Sequence, residues 1–479
     1  MKISRKSFLC AMGTSALALI CSGCGGSSAS SSSASTGFSP ASPVTVTVWT
    51  YYNGDQLETF NRLVETFNDT AGKEKGIIVE SSSQGSVNDL ENSVLDAAEG
   101  KVGAQALPNV FLAYADTAYA IDQMGLLADL SPYFTEEERA AYIESYLREG
   151  DFNGNGSIKI FPSAKSTELL FLNDTDWQPF AAAVGADYSD LSTMEGLVST
   201  AEKYYSWSGG KALFGRDAMA NYMLIGAEQQ GCTIFEVENG KMTIGLTESV
   251  ARKLWDNYYV PFVKGWFDAT GRFRSDDIKT GNIIGYVGSS SSATYFPSQV
   301  MTSDTENHDI ELKVLPCPKF KGGADVTVQQ GAGMAVTDGP AEEVEASVEF
   351  LKWFTLPENN IEFAVGSGYL PVTHAANDMD AIHASGLTIT PKMDAILTGA
   401  VDAVNTWELY TPRAFSGGAD ARNVLEYALS DIASADRATV EERLAAGQSA
   451  EEAEAEFLTD DYFTRWYEDL CARLRAYEG

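Results

Sequence analysis

Between residues 44 and 112 the sequence switches repeatedly between the period of a strand and the period of a helix. Val44-Thr-Val-Thr-Val-Trp49 alternates apolar and polar side chains, as a half-buried strand does. After a turn at Asn53-Gly54, the apolar residues Leu57, Phe60, Leu63, Val64 and Phe67 recur at helical spacing. A second strand is predicted over 77–80 and a second helix over 89–98. Residues 107–112, Leu-Pro-Asn-Val-Phe-Leu, form the continuous apolar run of a buried parallel strand. Strand–helix–strand–helix–strand demands crossover helices, so an α/β fold is predicted. At 479 residues the chain is too long for one hydrophobic core, and two lobes are expected.

The segment before this pattern cannot belong to the same fold. Lys2, Arg5 and Lys6 precede an apolar run over 8–20, then Ser22-Gly23-Cys24 and a Ser/Gly/Ala tract to Pro43. That layout predicts a secretion signal over residues 1–23. A cysteine directly after Ser-Gly resembles a bacterial lipobox, which implies cleavage before Cys24 and lipid on its thiol. Cys21 stands three places earlier, where that pattern usually carries an aliphatic residue. Residues 24–43 lack large apolar side chains and are expected to be a flexible tether, with the folded part starting near Val44. No later apolar run approaches the ~18–20 residues needed to span a bilayer, so the expectation is anchoring through lipid only.

Sixty-seven acidic residues against 33 basic ones give a formal charge of −34, which repels nucleic acid and anionic lipid alike. No nucleic-acid partner is expected. Cys232, Cys317 and Cys471 are odd in number and far apart, which implies buried thiols rather than a disulfide framework. His308, His374 and His383 lack metal-ligand spacing, and no metal or cofactor is expected. Residues 151–158 match the first eight places of an EF-hand loop, but the twelfth place is Pro162 instead of a bidentate glutamate, so a plain turn is expected. Gly-x-Ser-x-Gly, His-Glu-x-x-His and Walker motifs are missing. A secreted carbohydrate-active hydrolase working through two carboxylates is the enzyme alternative.

Further along, strands are expected over 169–172, 283–287, 313–315 and 326–328. The chain between the first two is predicted mostly helical, as are the stretch after residue 338 and an exposed pair over 434–457. Short polar or aromatic clusters follow strands or open helices. They contain Tyr52, Asn53, Asp55 and Gln56; Gly85 and Ser86; Tyr114 and Asp116; Ser166 and Thr167; Ser290 and Ser291; Gln330 and Gly331; Tyr369; and Arg413. In open α/β sheets ligands sit beyond the carboxyl ends of strands. Aromatic faces suit the C–H faces of a sugar ring, and amides, carboxylates and hydroxyls suit its hydroxyl groups. Each cluster alone reads as a turn or a cap; their joint placement points to a ligand cleft.

At these residues the chain resembles the family 1 extracellular solute-binding proteins, the receptors of ABC importers that include maltose- and glycerol-3-phosphate-binding proteins. The likeness rests on Val48-Trp49-Thr50-Tyr51-Tyr52-Asn53-Gly54, Leu107-Pro108-Asn109-Val110-Phe111, Phe161-Pro162-Ser163-Ala164-Lys165, Gln330-Gly331-Ala332-Gly333 and Gly368-Tyr369-Leu370-Pro371-Val372. It implies a two-lobed, type II periplasmic-binding-protein fold with lobes over 44–161 plus 310–364 and over 162–309 plus 365–479. It also implies hinge closure on a small-molecule solute, delivery to the permease transmembrane subunits of an ABC transporter, and no enzymatic step. A monomer, lipid-anchored at the extracellular face of the bacterial cytoplasmic membrane, is implied as well. Ser166, Thr167, Ser290, Ser291, Gln330, Gly331, Tyr369 and Arg413 fall where the glycerol-3-phosphate-binding branch contacts ligand. Arg413 offers a planar fork suited to phosphate or carboxylate, which favours a glycerol-phosphate-like ligand; the tyrosines and tryptophans suit a neutral sugar equally.

Overall fold

The computed structural model describes residues 38–303 and 307–479; Cys24 and its tether up to residue 37 lie outside them. The fold includes residues before Val44: Phe38 is buried in the first lobe's core, and Ser39 pairs with Ser42 in a short bridge.

Strand β1 (Val44–Thr50) runs parallel to both β2 (Ile77–Ser83) and β3 (Val110–Ala113). The helix Gly54–Asp69 buries Phe60, Leu63, Val64 and Phe67, the face expected from their spacing. These side chains pack with Phe350, Phe354 and Phe363 in a ring cluster with centroids 5.2–6.4 Å apart. Burying each such ring contributes about 1.5–3 kcal/mol relative to exposure. Asn109 ties the sheet to its cover: its Oδ1 accepts from the Thr47 N–H at 2.9 Å and its Nδ2 donates to Glu343 at 2.7 Å.

The second sheet centres on β4 (Glu168–Asn173), buried along its whole length. Leu170 and Leu172 face one core while Leu169 and Phe171 face another, so both faces of the strand are covered. β5 (Phe214–Arg216) follows, then a hairpin of β6 (Phe235–Glu238) and β7 (Lys241–Ile244) inside a stretch expected to be helical. β8 (Gly285–Ser289) pairs antiparallel with β4 and parallel with β5. β9 (Gln299–Met301) and β10 (Asn307–Asp309) form a separate two-stranded ribbon. β11 (Leu312–Pro316) pairs antiparallel with β4 and completes the order β11-β4-β8-β5. The return to the first lobe therefore comes after β11, not at residue 310, because the Leu312–Pro316 backbone hydrogen-bonds to the second sheet.

β12 (Val326–Val328) leads back toward the first lobe. β13 (Gly333–Val336) adds antiparallel to β3, giving the order β13-β3-β1-β2. β14 (Glu408–Tyr410) lies parallel to β12. The lobes are joined by three chain crossings, near residues 161–168, 326–334 and 368–373. The Ser166 and Gln330 backbones exchange hydrogen bonds of 2.8 and 3.0 Å, and the Lys165 N–H donates to the Leu370 carbonyl at 3.1 Å. Lys165, fully buried here, is satisfied by Glu149 at 2.6 Å and the Gly331 carbonyl at 2.7 Å. A buried ammonium is tolerable only with such partners.

The loop over 151–158 is a plain turn closed by its first residue. The Asp151 carboxylate accepts from the backbone N–H groups of Asn155 and Gly156 at 3.0 and 2.9 Å. Cys232 and Cys471 are buried free thiols and Cys317 is partly buried.

Candidate functional site

A cavity of about 750 Å³ lies between the lobes, its floor made by the crossing segment at Gln329, Gln330 and Gly331. Gly331 has φ +94°, and a Cβ there would come within 3.0 Å of the Ala164 carbonyl, so glycine lets two crossing strands pass in contact. The first lobe supplies Asn88, Glu91, Asn92, Tyr114, Asp116 and Glu149 to the wall; the second supplies Asn221, Phe235, Tyr410, Phe415, Arg422 and Tyr427.

Local structure explains how these side chains arrive. Tyr114 directly follows β3 and starts the helix Ala115–Gln123, which puts Asp116 in that helix's first turn. The facing wall is the helix Gly418–Ala428, packed against the helix Met219–Glu228. Arg422 lies one turn from Gly418 and is held by a buried chain of polar groups. Its guanidinium donates to Asn221 Oδ1, Asn221 Nδ2 donates to Glu168 Oε1 at 2.8 Å, and Glu168 pairs with Arg216. The Glu168 and Arg216 side chains are each only 3% exposed.

Five carboxylates, of Glu91, Asp116, Glu149, Asp420 and Glu426, and one arginine line the cavity. Glu149 is neutralised by Lys165, and Glu426 accepts from the Met219 and Ala220 N–H groups at a helix start. Burial pushes the Asp116 carboxyl up to about 6, with Arg422 opposing and Glu91 and Glu149 reinforcing. Burial likewise raises Glu91 above the usual carboxylate range. Beneath them Tyr51 and Tyr369 place their hydroxyl oxygens 3.3 Å apart, and burial raises both phenols.

Among the residues singled out from the sequence, Tyr114, Asp116, Gln330 and Gly331 line this cavity. The others lie elsewhere. Tyr52 is core, wedged between Phe60 and Phe363. Asn53 accepts from the Tyr295 hydroxyl at 3.2 Å and Gln56 donates to the Ser291 carbonyl at 3.4 Å, so both bridge the lobes outside the cavity. Asp55 opens onto a separate groove with Arg62, Glu362 and Lys392. Ser86 caps the helix Val87–Ala98 in a box with Asp89, and Gly85 supplies the left-handed turn before it. Ser166 and Thr167 are buried in the first crossing, where the Thr167 and Thr327 hydroxyls meet at 2.9 Å. Ser290 is fully buried with its N–H on the Thr167 carbonyl at 2.8 Å, and the Ser291 hydroxyl meets that of Ser289 at 3.0 Å. Tyr369 belongs to the tyrosine layer below the cavity. Arg413 is exposed and outside the lining; the arginine in the cleft is Arg422. Glu91, Asn221 and Arg422 carry no sequence signal, whereas Tyr410 stands three residues before Arg413, which the sequence does single out.

Two α/β lobes, three crossings and a polar, aromatic-walled cavity between them define a two-lobed binding protein. The chain belongs to the bacterial extracellular solute-binding protein family, whose model matches residues 62–389. Among curated proteins no sequence relative matches. Solved structures share the fold. The glycerophosphocholine complex of UgpB from Mycobacterium tuberculosis has a TM-score of 0.65 at 19% identity, covering 90% of this chain and 99% of that one. The cyclic alpha-maltosyl-1,6-maltose binding protein of Arthrobacter globiformis gives 0.64 at 17%, covering 91% and 100%. The maltodextrin-binding MalE domain of Bdellovibrio bacteriovorus, bound to maltotriose, gives 0.62 at 12%, covering 90% and 99%. Among the described residues no helix is long and apolar enough to cross a membrane.

Proposed function

We propose that this chain is the solute-capturing subunit of an ABC importer and takes a neutral carbohydrate-type solute into the inter-lobe cavity. The observation that carries this is the cavity itself, about 750 Å³ and walled by both lobes. That volume falls in the ~300–1,000 Å³ range usual for small-molecule sites. Tyr114, Tyr410, Phe415 and Tyr427 offer ring faces, while Asn88, Asn92, Asn221 and the carboxylates offer hydroxyl partners. Gln330 Oε1 is buried without a protein donor, and a sugar hydroxyl would satisfy it. Capture then works by population shift: a solute touching both walls favours the closed form, which the permease subunits recognise. No bond is made or broken.

The phosphorylated or acidic polyol favoured by Arg413 is the less supported ligand, because Arg413 is exposed and Arg422 shares the cavity lining with five carboxylates. The lipid anchor at Cys24, the extracellular membrane-face location and the monomeric state form part of the same reading. A melting-temperature screen of maltotriose, other oligosaccharides, sugar phosphates and glycerol phosphates tests it. A binding solute at 100 times its Kd should stabilise by about 2.7 kcal/mol, with the solute recovered unchanged. Stabilisation confined to phosphorylated solutes would refute the neutral-ligand reading, and hydrolysed product would refute the receptor.

A further inference from the structure

A charged group of one wall of the cavity touches the other wall. Asp116 projects from the first lobe onto Gly418, the first residue of the helix Gly418–Ala428 in the second. A Cβ built at Gly418 would come within 2.2 Å of Asp116 Oδ1 and 2.9 Å of its Cγ. The carboxyl occupies the space that any other residue's side chain would need. The further lobe-to-lobe hydrogen bonds from the helix Gly54–Asp69 and the turn before it, Asn53 with Tyr295 and Gln56 with Ser291, involve neutral groups only. In this arrangement a titratable group of the first lobe lies against the backbone of the second.

We propose that Asp116 on Gly418 makes closure proton-linked, so that the lobes close, and hold solute, more readily in mildly acidic surroundings than at neutral pH. This rests on the clamshell reading above. The groups facing Asp116 come from each neighbouring element: Arg422 on the second-lobe helix, Glu91 on the helix Val87–Ala98, and Glu149 before the first crossing. Asp420 and Glu426 line the same space, and Lys165 offsets Glu149. Arg422 favours the carboxylate; burial, the largest influence, together with Glu91 and Glu149 favours the neutral acid, which holds its proton up to about pH 6. In the open form the group returns toward the ordinary ~3.9. The closed form then binds the extra proton. Linkage makes closure stronger as pH falls from about 7 toward 4, and the ratio of closed to open forms rises about tenfold between pH 7.5 and 5.

The test uses the secreted chain, without a lipid anchor, in small-angle scattering at pH 7.5 and 5.0, with and without maltotriose. Wild type should be more compact at pH 5.0. Asp116→Asn, permanently neutral, should be equally compact at both pH values. Gly418→Ala, whose backbone needs no positive φ, should evict the carboxyl and leave a more open protein with little pH response. Equal compaction of wild type at both pH values, or the same pH response in Asp116→Asn, overturns the proton linkage alone. A wild-type protein with one fixed shape in all four conditions overturns the clamshell reading and the linkage together.

Discussion

Replacing Arg216 by Met is the sharpest test of the buried polar chain behind the cavity. Arg216 and Glu168 are each 3% exposed and paired, and the second Glu168 oxygen is taken by Asn221 at 2.8 Å. Removing the guanidinium leaves a carboxylate in the second lobe with one amide donor. Breaking such a pair from one side costs about 3–5 kcal/mol. At roughly 2–4 °C per kcal/mol for a lobe of this size, the melting temperature should fall by about 6–20 °C at pH 7.5. The pH dependence gives an independent check. Burial already holds the Glu168 carboxyl above its ordinary range, with Arg216 opposing; without Arg216 it rises further. A group whose folded-state pKa is raised costs stability when it ionises. The variant should therefore recover as pH falls through that raised value toward the unfolded ~4.3, by up to about 1.4 kcal/mol per pH unit. Adding Glu168→Gln removes the second charge and should restore most of the loss at pH 7.5. Calorimetry of the two variants at pH 7.5 and 5.5 measures all of this. A single-variant loss under about 1 kcal/mol, or one identical at both pH values, would refute the reasoning.

The remaining predictions separate the cavity from its surroundings. Arg422→Ala should weaken solute binding tenfold or more, about 1.4 kcal/mol, while Arg413→Ala leaves it unchanged; titration calorimetry with a solute found in the screen reads both. Tyr52→Ala should lower stability by about 3–5 kcal/mol through the cavity left among Phe60, Phe363 and Tyr369, yet leave the affinity of the folded fraction intact. A denaturant midpoint and a Kd measured on one preparation check that split.

How far the sequence discloses this architecture depends on whether the deciding interaction is local. The helix Gly54–Asp69 was legible because its buried face is a matter of spacing, and β1 because its alternation is. The expected boundary at residue 310 fails at β11 because Leu-Lys-Val-Leu-Pro has the same pattern whichever sheet it joins; its partner Leu169–Asn173 lies more than a hundred residues away. The hairpin of β6 and β7 is short and its Phe-Glu-Val-Glu and Lys-Met-Thr-Ile sequences sit among helices, which masked it.

The cavity follows the same division. Tyr114 and Asp116 were legible because a strand end leading into a helix start is a local event, and this junction borders the cavity. Ser86 stands at a similar junction, but its hydroxyl is spent on Asp89, four atoms of capping chemistry that the same Ser-x-x-Asp spacing would have disclosed. Arg413 and Arg422 are the reverse case. Both are arginines near the same helix start, and nothing in their neighbours distinguishes them. What selects Arg422 is that Asn221, two hundred residues earlier, is held by Glu168 with its carbonyl oxygen turned toward the helix Gly418–Ala428. A buried carboxylate committed to Arg216 thus decides which arginine faces the cavity, and that commitment exists only once the second lobe has assembled.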